Sequence, residues 1–115
     1  MKVVGRQASA KVEPIYVLRL YVSGATVGST RAVEQVRRIC DEHLSGRYEL
    51  EVVDVYQQPE LALHAQILTV PTLVKSSPAP ARRILGDLSD RRHVLRGLDL
   101  KAKFDEEKRS KPKRT

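Results

Sequence analysis

The chain has 115 residues, 41% of them hydrophobic, and its 21 Lys/Arg against 14 Asp/Glu give a formal charge of +7. This length bounds it to one domain with a real core. No stretch approaches the ~18–20 consecutive apolar residues of a membrane span, and no apolar signal-peptide core follows Met1, so the cytoplasm is the expected compartment. One cysteine, Cys40, excludes an internal disulfide and agrees with reducing surroundings. With four Tyr, one Phe and no Trp, aliphatic side chains must build the core. The charge is uneven: residues 101–115 carry seven Lys/Arg and three acids, or +4, which leaves +3 for residues 1–100.

Residues 1–13 show no sustained period and read as a flexible leader. Residues 15–22, Ile-Tyr-Val-Leu-Arg-Leu-Tyr-Val, suit a buried central strand because β-branched and aromatic residues fill a pleated surface. Gly24 and Gly28 break it. Ser29 and Thr30 are candidate caps for the next helix, since a side-chain oxygen there accepts from free first-turn N–H groups. Val33, Val36, Ile39, Cys40 and Leu44 recur at helical spacing on one apolar face, which makes Cys40 a packing residue. Gly46 ends this helix.

Residues 48–55 form a second strand, and the helical connection between the two permits a parallel pairing with a right-handed crossover. Pro59 opens a short helix running through Gln66, because its missing N–H would lack a partner there in any case. Thr72–Lys75 reads as a strand, Ser76–Pro80 as a turn and Ala81–Leu85 as the returning strand of a hairpin. Ser89 is the expected cap of a last helix with Val94, Leu95 and Leu98 inside. Residues 101–115 form a basic tail, expected to be disordered.

The domain is thus placed at residues 14–100, with the order βαβαββα. This order is thioredoxin-like, and the segment Val70-Pro71-Thr72 falls where such a fold keeps a cis-proline. The loop between the first strand and first helix, Ser23-Gly-Ala-Thr-Val-Gly-Ser29, lacks the Cys-x-x-Cys pair of a redox enzyme. The scaffold without its chemistry points to binding rather than catalysis.

Particular segments sharpen this. Tyr16-Val-Leu-Arg-Leu-Tyr-Val-Ser-Gly24, Ser29-Thr-Arg-Ala32, Val53-Asp-Val55, Pro59-Glu-Leu-Ala62, Ile67-Leu-Thr-Val-Pro-Thr-Leu73, Arg82-Arg-Ile-Leu-Gly-Asp-Leu-Ser89 and Gly97-Leu-Asp-Leu100 occur in this order. Together they resemble the KaiB family of circadian clock proteins. The resemblance implies a non-enzymatic regulator, without cofactor, of a KaiC-like hexameric ATPase and autokinase. A KaiA-like protein or a histidine kinase is a further expected partner. It also implies fold switching between the thioredoxin-like monomer and a self-associated ground state, dimeric or tetrameric, ordered βαββααβ.

For such a switch two packings must differ by only a few kcal/mol. Pro71, Pro78, Pro80, Gly86 and Asp87 are the candidate switch residues. Prolines isomerise over roughly tens to hundreds of seconds, Gly86 tolerates both signs of φ, and Asp87 can bond nearby backbone. Gly86→Ala with Asp87→Arg is expected to favour the KaiC-binding form. Arg31, Lys75, Arg82 and Arg83 match basic partner-binding positions of the family and are expected to form one patch across the helix start and the hairpin.

The chain also departs from the family. Gln57-Gln58-Pro59 stands where the family has Lys-Asn-Pro, Leu63-His64-Ala65-Gln66 replaces an acidic run, Pro78-Ala79-Pro80 replaces a triple proline, and the tail is basic instead of acidic. These changes suggest a divergent member paired with its own KaiC outside a full three-protein clock. The alternative reading is a nucleic-acid-binding module that uses the basic tail. His43, His64 and His93 lack ligand spacing for a metal. Asp54 lacks the acidic cluster of a phospho-acceptor, and Gly24-x-x-x-Gly28-Ser29 lacks the lysine of a phosphate loop.

Overall fold

The computed structural model describes residues 14–100; the expected leader and tail lie outside the described residues. Seven elements follow in the order expected from the sequence: β1 (Tyr16–Val22), α1 (Val27–His43), β2 (Tyr48–Asp54), α2 (Pro59–His64), β3 (Thr72–Ser77), β4 (Arg82–Ile84) and α3 (Arg91–Gly97). The four strands form one sheet ordered β2-β1-β3-β4. β1 pairs parallel with β2 from Tyr16↔Tyr48 to Val22↔Asp54. It pairs antiparallel with β3, and β3 pairs antiparallel with β4.

The core lies on one face of the sheet. Alternation along β1 sends Leu18, Leu20 and Val22 to that face, where they meet Ala32, Val36, Ile39 and Cys40 of α1 and Val94 and Leu95 of α3. Their burial gives one apolar layer between sheet and helices, worth about 1.5–3 kcal/mol for each large side chain fully removed from water. On the opposite face the six-residue α2 buries none of its side chains.

The helix caps differ from the expected ones. α1 begins at least three residues early because Thr26 is its cap: the Thr26 hydroxyl accepts from the Ser29 N–H at 3.1 Å. Ser29 is buried, and its hydroxyl accepts the Ser23 N–H at 3.1 Å, closing the loop where a redox fold keeps its cysteines. α3 is capped by Asp90, which accepts from the Arg92 and His93 N–H groups, while Ser89 is held by Asp87. α2 stops at His64, and Gln66 has a positive φ of 57°. β3 continues through Ser77, two residues into the expected turn.

Val70–Pro71 is cis, as the thioredoxin-like pattern expects, and so are Ser77–Pro78 and Ala79–Pro80. Among the described residues no helix is long and apolar enough to cross a membrane.

Candidate partner-binding surface

The four expected basic positions do not form one patch. Lys75 follows Leu73 by two residues on β3, so it shares the core-facing side of the strand. It is only 2% exposed, with its ammonium 5.7 Å from the centre of the Tyr16 ring. Its stem covers apolar surface while the charged end rests on an aromatic face. In this fold Lys75 is buried against the sheet, so it does not join the arginines in the single exposed patch expected from sequence.

Arg83 points to the other face. Its guanidinium donates to the Gln66 carbonyl at 3.0 Å and to the Ala65 carbonyl, so it ties the end of α2 to β4. Arg82, its neighbour on the strand, is exposed on the α3 side. Arg31 is exposed on α1, beside the β4–α3 connection that carries Asp87 and Ser89. The surface therefore offers three separate arginines around β4 and its following loop.

That loop is closed by local bonds. Gly86 has a φ of +92°, in the left-handed region where a side chain is strained. A Cβ there would lie 3.3 Å from the His93 Nε2, whose N–H donates to the Leu85 carbonyl. Asp87 accepts from the Ser89 N–H at 3.0 Å and from its hydroxyl. These Ser89 bonds hold the Asp87 carboxyl below its ordinary value, helped by the charges of His93 and Arg31. Both Gly86→Ala and Asp87→Arg would therefore cost stability in this fold, and the expected shift toward it needs a larger cost in the other packing.

Other candidate chemistry is accounted for structurally. Burial, with the Asp41 charge adding to it, pushes the Cys40 thiol up to about 12; a neutral buried thiol is a packing group. Asp54 accepts from the Gly24 N–H at 3.2 Å and the Tyr56 N–H at 2.9 Å, joining the loops that follow β1 and β2. Among the described residues no three His, Cys, Asp or Glu side chains gather as a metal-holding group.

Nothing in the sequence brings Arg96, His93 and Gly97 together with β4. A Cβ on Gly97 would fall 2.5 Å from Ile84, so glycine is what lets α3 approach β4 closely. Arg96 and His93 are thereby brought beside Arg82 around a cavity of about 360 Å³.

The strand order, the cis-proline before β3 and the sulfur-free loop before α1 define a thioredoxin-like domain without a redox cysteine pair. The N-terminal domain of SasA from Synechococcus elongatus has a similar structure, with a TM-score of 0.62 at 24% identity over 86% of this chain and 94% of that domain. Mitochondrial thioredoxin 3 from Saccharomyces cerevisiae superposes with a TM-score of 0.61 at 11% identity, over 76% of this chain and 79% of the other. The KaiB domain family model matches residues 19–100. The circadian clock oscillator protein KaiB of Prochlorococcus marinus (strain MIT 9312) is 53% identical over 91 residues, covering 79% of this chain and 85% of that protein. The chain belongs to the KaiB family.

Proposed function

We propose that the chain is a non-enzymatic regulatory binding protein of a KaiC-type hexameric ATPase and autokinase. It acts in the cytoplasm, in a circadian-clock or stress-timing system. The observation that carries this reading is a KaiB-family chain in the thioredoxin-like arrangement, with a sulfur-free loop at the usual redox position. In this reading the thioredoxin-like monomer is the partner-binding state. Self-association belongs to a second packing in which the segment after β2 rearranges about Pro71, Pro78, Pro80, Gly86 and Asp87.

Arg31 and Arg82 are the contact residues open to a partner in this state, and Arg83 is exposed beside them with its guanidinium bonded to the Ala65 and Gln66 carbonyls. Guanidinium groups suit carboxylate-bearing surfaces because they donate in a planar, bidentate fork. Lys75, being buried, contributes through folding. A KaiA-like protein or a histidine kinase is a further partner of the same system.

Native mass spectrometry of the full chain with its cognate KaiC-type ATPase and ATP tests the reading. The expected result is a complex of thioredoxin-like monomers on the hexamer, weakened by Arg31→Glu and Arg82→Glu with folding intact. Failure to form a complex in any nucleotide state would overturn it.

A further inference from the structure

The order β2-β1-β3-β4 leaves β4 at the edge of the sheet. Its inner side pairs with β3 through Leu73↔Ile84, Val74↔Arg83 and Lys75↔Arg82. Its outer side faces no described strand, and such an edge is a template for another chain. The cavity of about 360 Å³ opens beside this edge, between β4 and α3.

The chemistry of the cleft is one-sided. Arg82, Arg96 and His93 line it together with Ile84 and Gly97, and Leu85, 45% exposed, adds an apolar surface. No carboxylate lines it, and its one aromatic ring is the imidazole of His93, whose Nε2–H is committed to the Leu85 carbonyl. Arg82 and Arg96 are exposed and make no hydrogen bond or ion pair with any described residue. Arg83 also borders the cleft, but its guanidinium is committed to the Ala65 and Gln66 carbonyls that follow α2 on the other face. Thus, among the described residues, two guanidinium groups without a partner stand next to a strand edge without one.

We propose that this cleft docks an extended acidic segment of a partner protein, which adds to the outer edge of β4 and lays carboxylates against Arg82 and Arg96. An added strand gains main-chain hydrogen bonds along the edge, while every second side chain falls on the same face. Arginine then recognises those carboxylates bidentately. A nucleic-acid strand would find no Phe, Tyr or Trp to stack on here, and free phosphate would leave the strand edge unused. The proposal rests on reading the chain as a binding protein.

The test is an NMR titration of the isotope-labelled full chain with a capped octapeptide of alternating Glu and Thr. The Lys-for-Glu peptide, inorganic phosphate and oligothymidylate serve as separate arms. The acidic peptide is expected to move the amides of residues 82–85 and 93–97. Arg82→Ala with Arg96→Ala should weaken it about tenfold or more, as expected for losing charge-assisted hydrogen bonds. The Arg→Lys pair should restore part of that loss, and the variant's amide spectrum checks that it is folded.

Shifts confined to residues 101–115 would overturn the assignment, as would unchanged affinity in the folded double variant. Equal or tighter binding of phosphate or oligothymidylate at the same amides would overturn it too. The two readings fail separately: a wild-type chain that takes the acidic peptide but no KaiC-type ATPase keeps the cleft and loses the proposed partner.

Discussion

β1 and β2 meet over seven paired residues, and α1 above them buries Ser29, Ala32, Val36, Ile39 and Cys40. At the other end of the sheet, β4 meets β3 over three pairs, and α2 buries no side chain at all. The first half is therefore anchored by a long parallel ladder and a filled helix face. The second half still adds Leu73, Ile84, Leu88, Val94, Leu95 and Leu98 to the core, but its elements are short and its connections rest on a few specific devices: the close approach at Gly97, the left-handed Gly86, and the Arg83 and Asp87 bonds. Regions with little buried apolar surface open at lower free energy than the core. A proposed rearrangement confined to the segment after β2 needs this asymmetry.

The largest effect that would sharpen the contrast is expected in β1. Leu20 is fully buried, and Leu20→Ala should cost roughly 2–5 kcal/mol in denaturant unfolding. Leu63 of α2 is 78% exposed, and Leu63→Ala should stay within about 0.5 kcal/mol. Equal losses at the two sites would break the comparison.

Gly97→Ala comes next. The new methyl group would collide with three carbons of the buried Ile84, at an overpacking cost of roughly 1–3 kcal/mol by thermal unfolding. Gly86→Ala should cost roughly 1 kcal/mol in the thioredoxin-like form, because its φ lies in the left-handed region. A rise in the thioredoxin-like population on that substitution, read from amide spectra, would mean that the second packing suffers more.

The smallest expected effect concerns pH. Folding holds the Asp87 carboxyl below its ordinary value. Its contribution is therefore present above the unfolded pKa and is lost as pH falls through the folded one, below the usual carboxylate range. Ser89→Ala should raise the Asp87 titration midpoint in a carboxyl NMR titration. An unchanged midpoint would remove Ser89 as the cause.

Strand and helix placement was legible because periodicity and turn residues agree from Tyr16 to Leu98. The caps were not. Thr26, Ser29 and Thr30 are equally good cap types, and only the tertiary bond between Ser29 and Ser23 selects Thr26. Ser89 loses its expected role in the same way, because Asp87 takes its hydroxyl. Lys75 was misplaced by reading charge as exposure, although its two-residue spacing from Leu73 marked it as core-facing. The cleft beside β4 was invisible because Arg82 and Arg96 lie on different elements. Gly97 was the local signal, since a glycine inside a helix often marks a close approach.

Residue-resolved hydrogen exchange of the full chain tests the two-part anchoring most directly. Strong protection is expected for amides in β1, α1 and β2. Opening at lower free energy is expected across residues 59–71 and 81–87, with the latter gaining protection when the KaiC-type ATPase binds. Uniform protection across both halves, unchanged by the ATPase, would contradict the two-part anchoring.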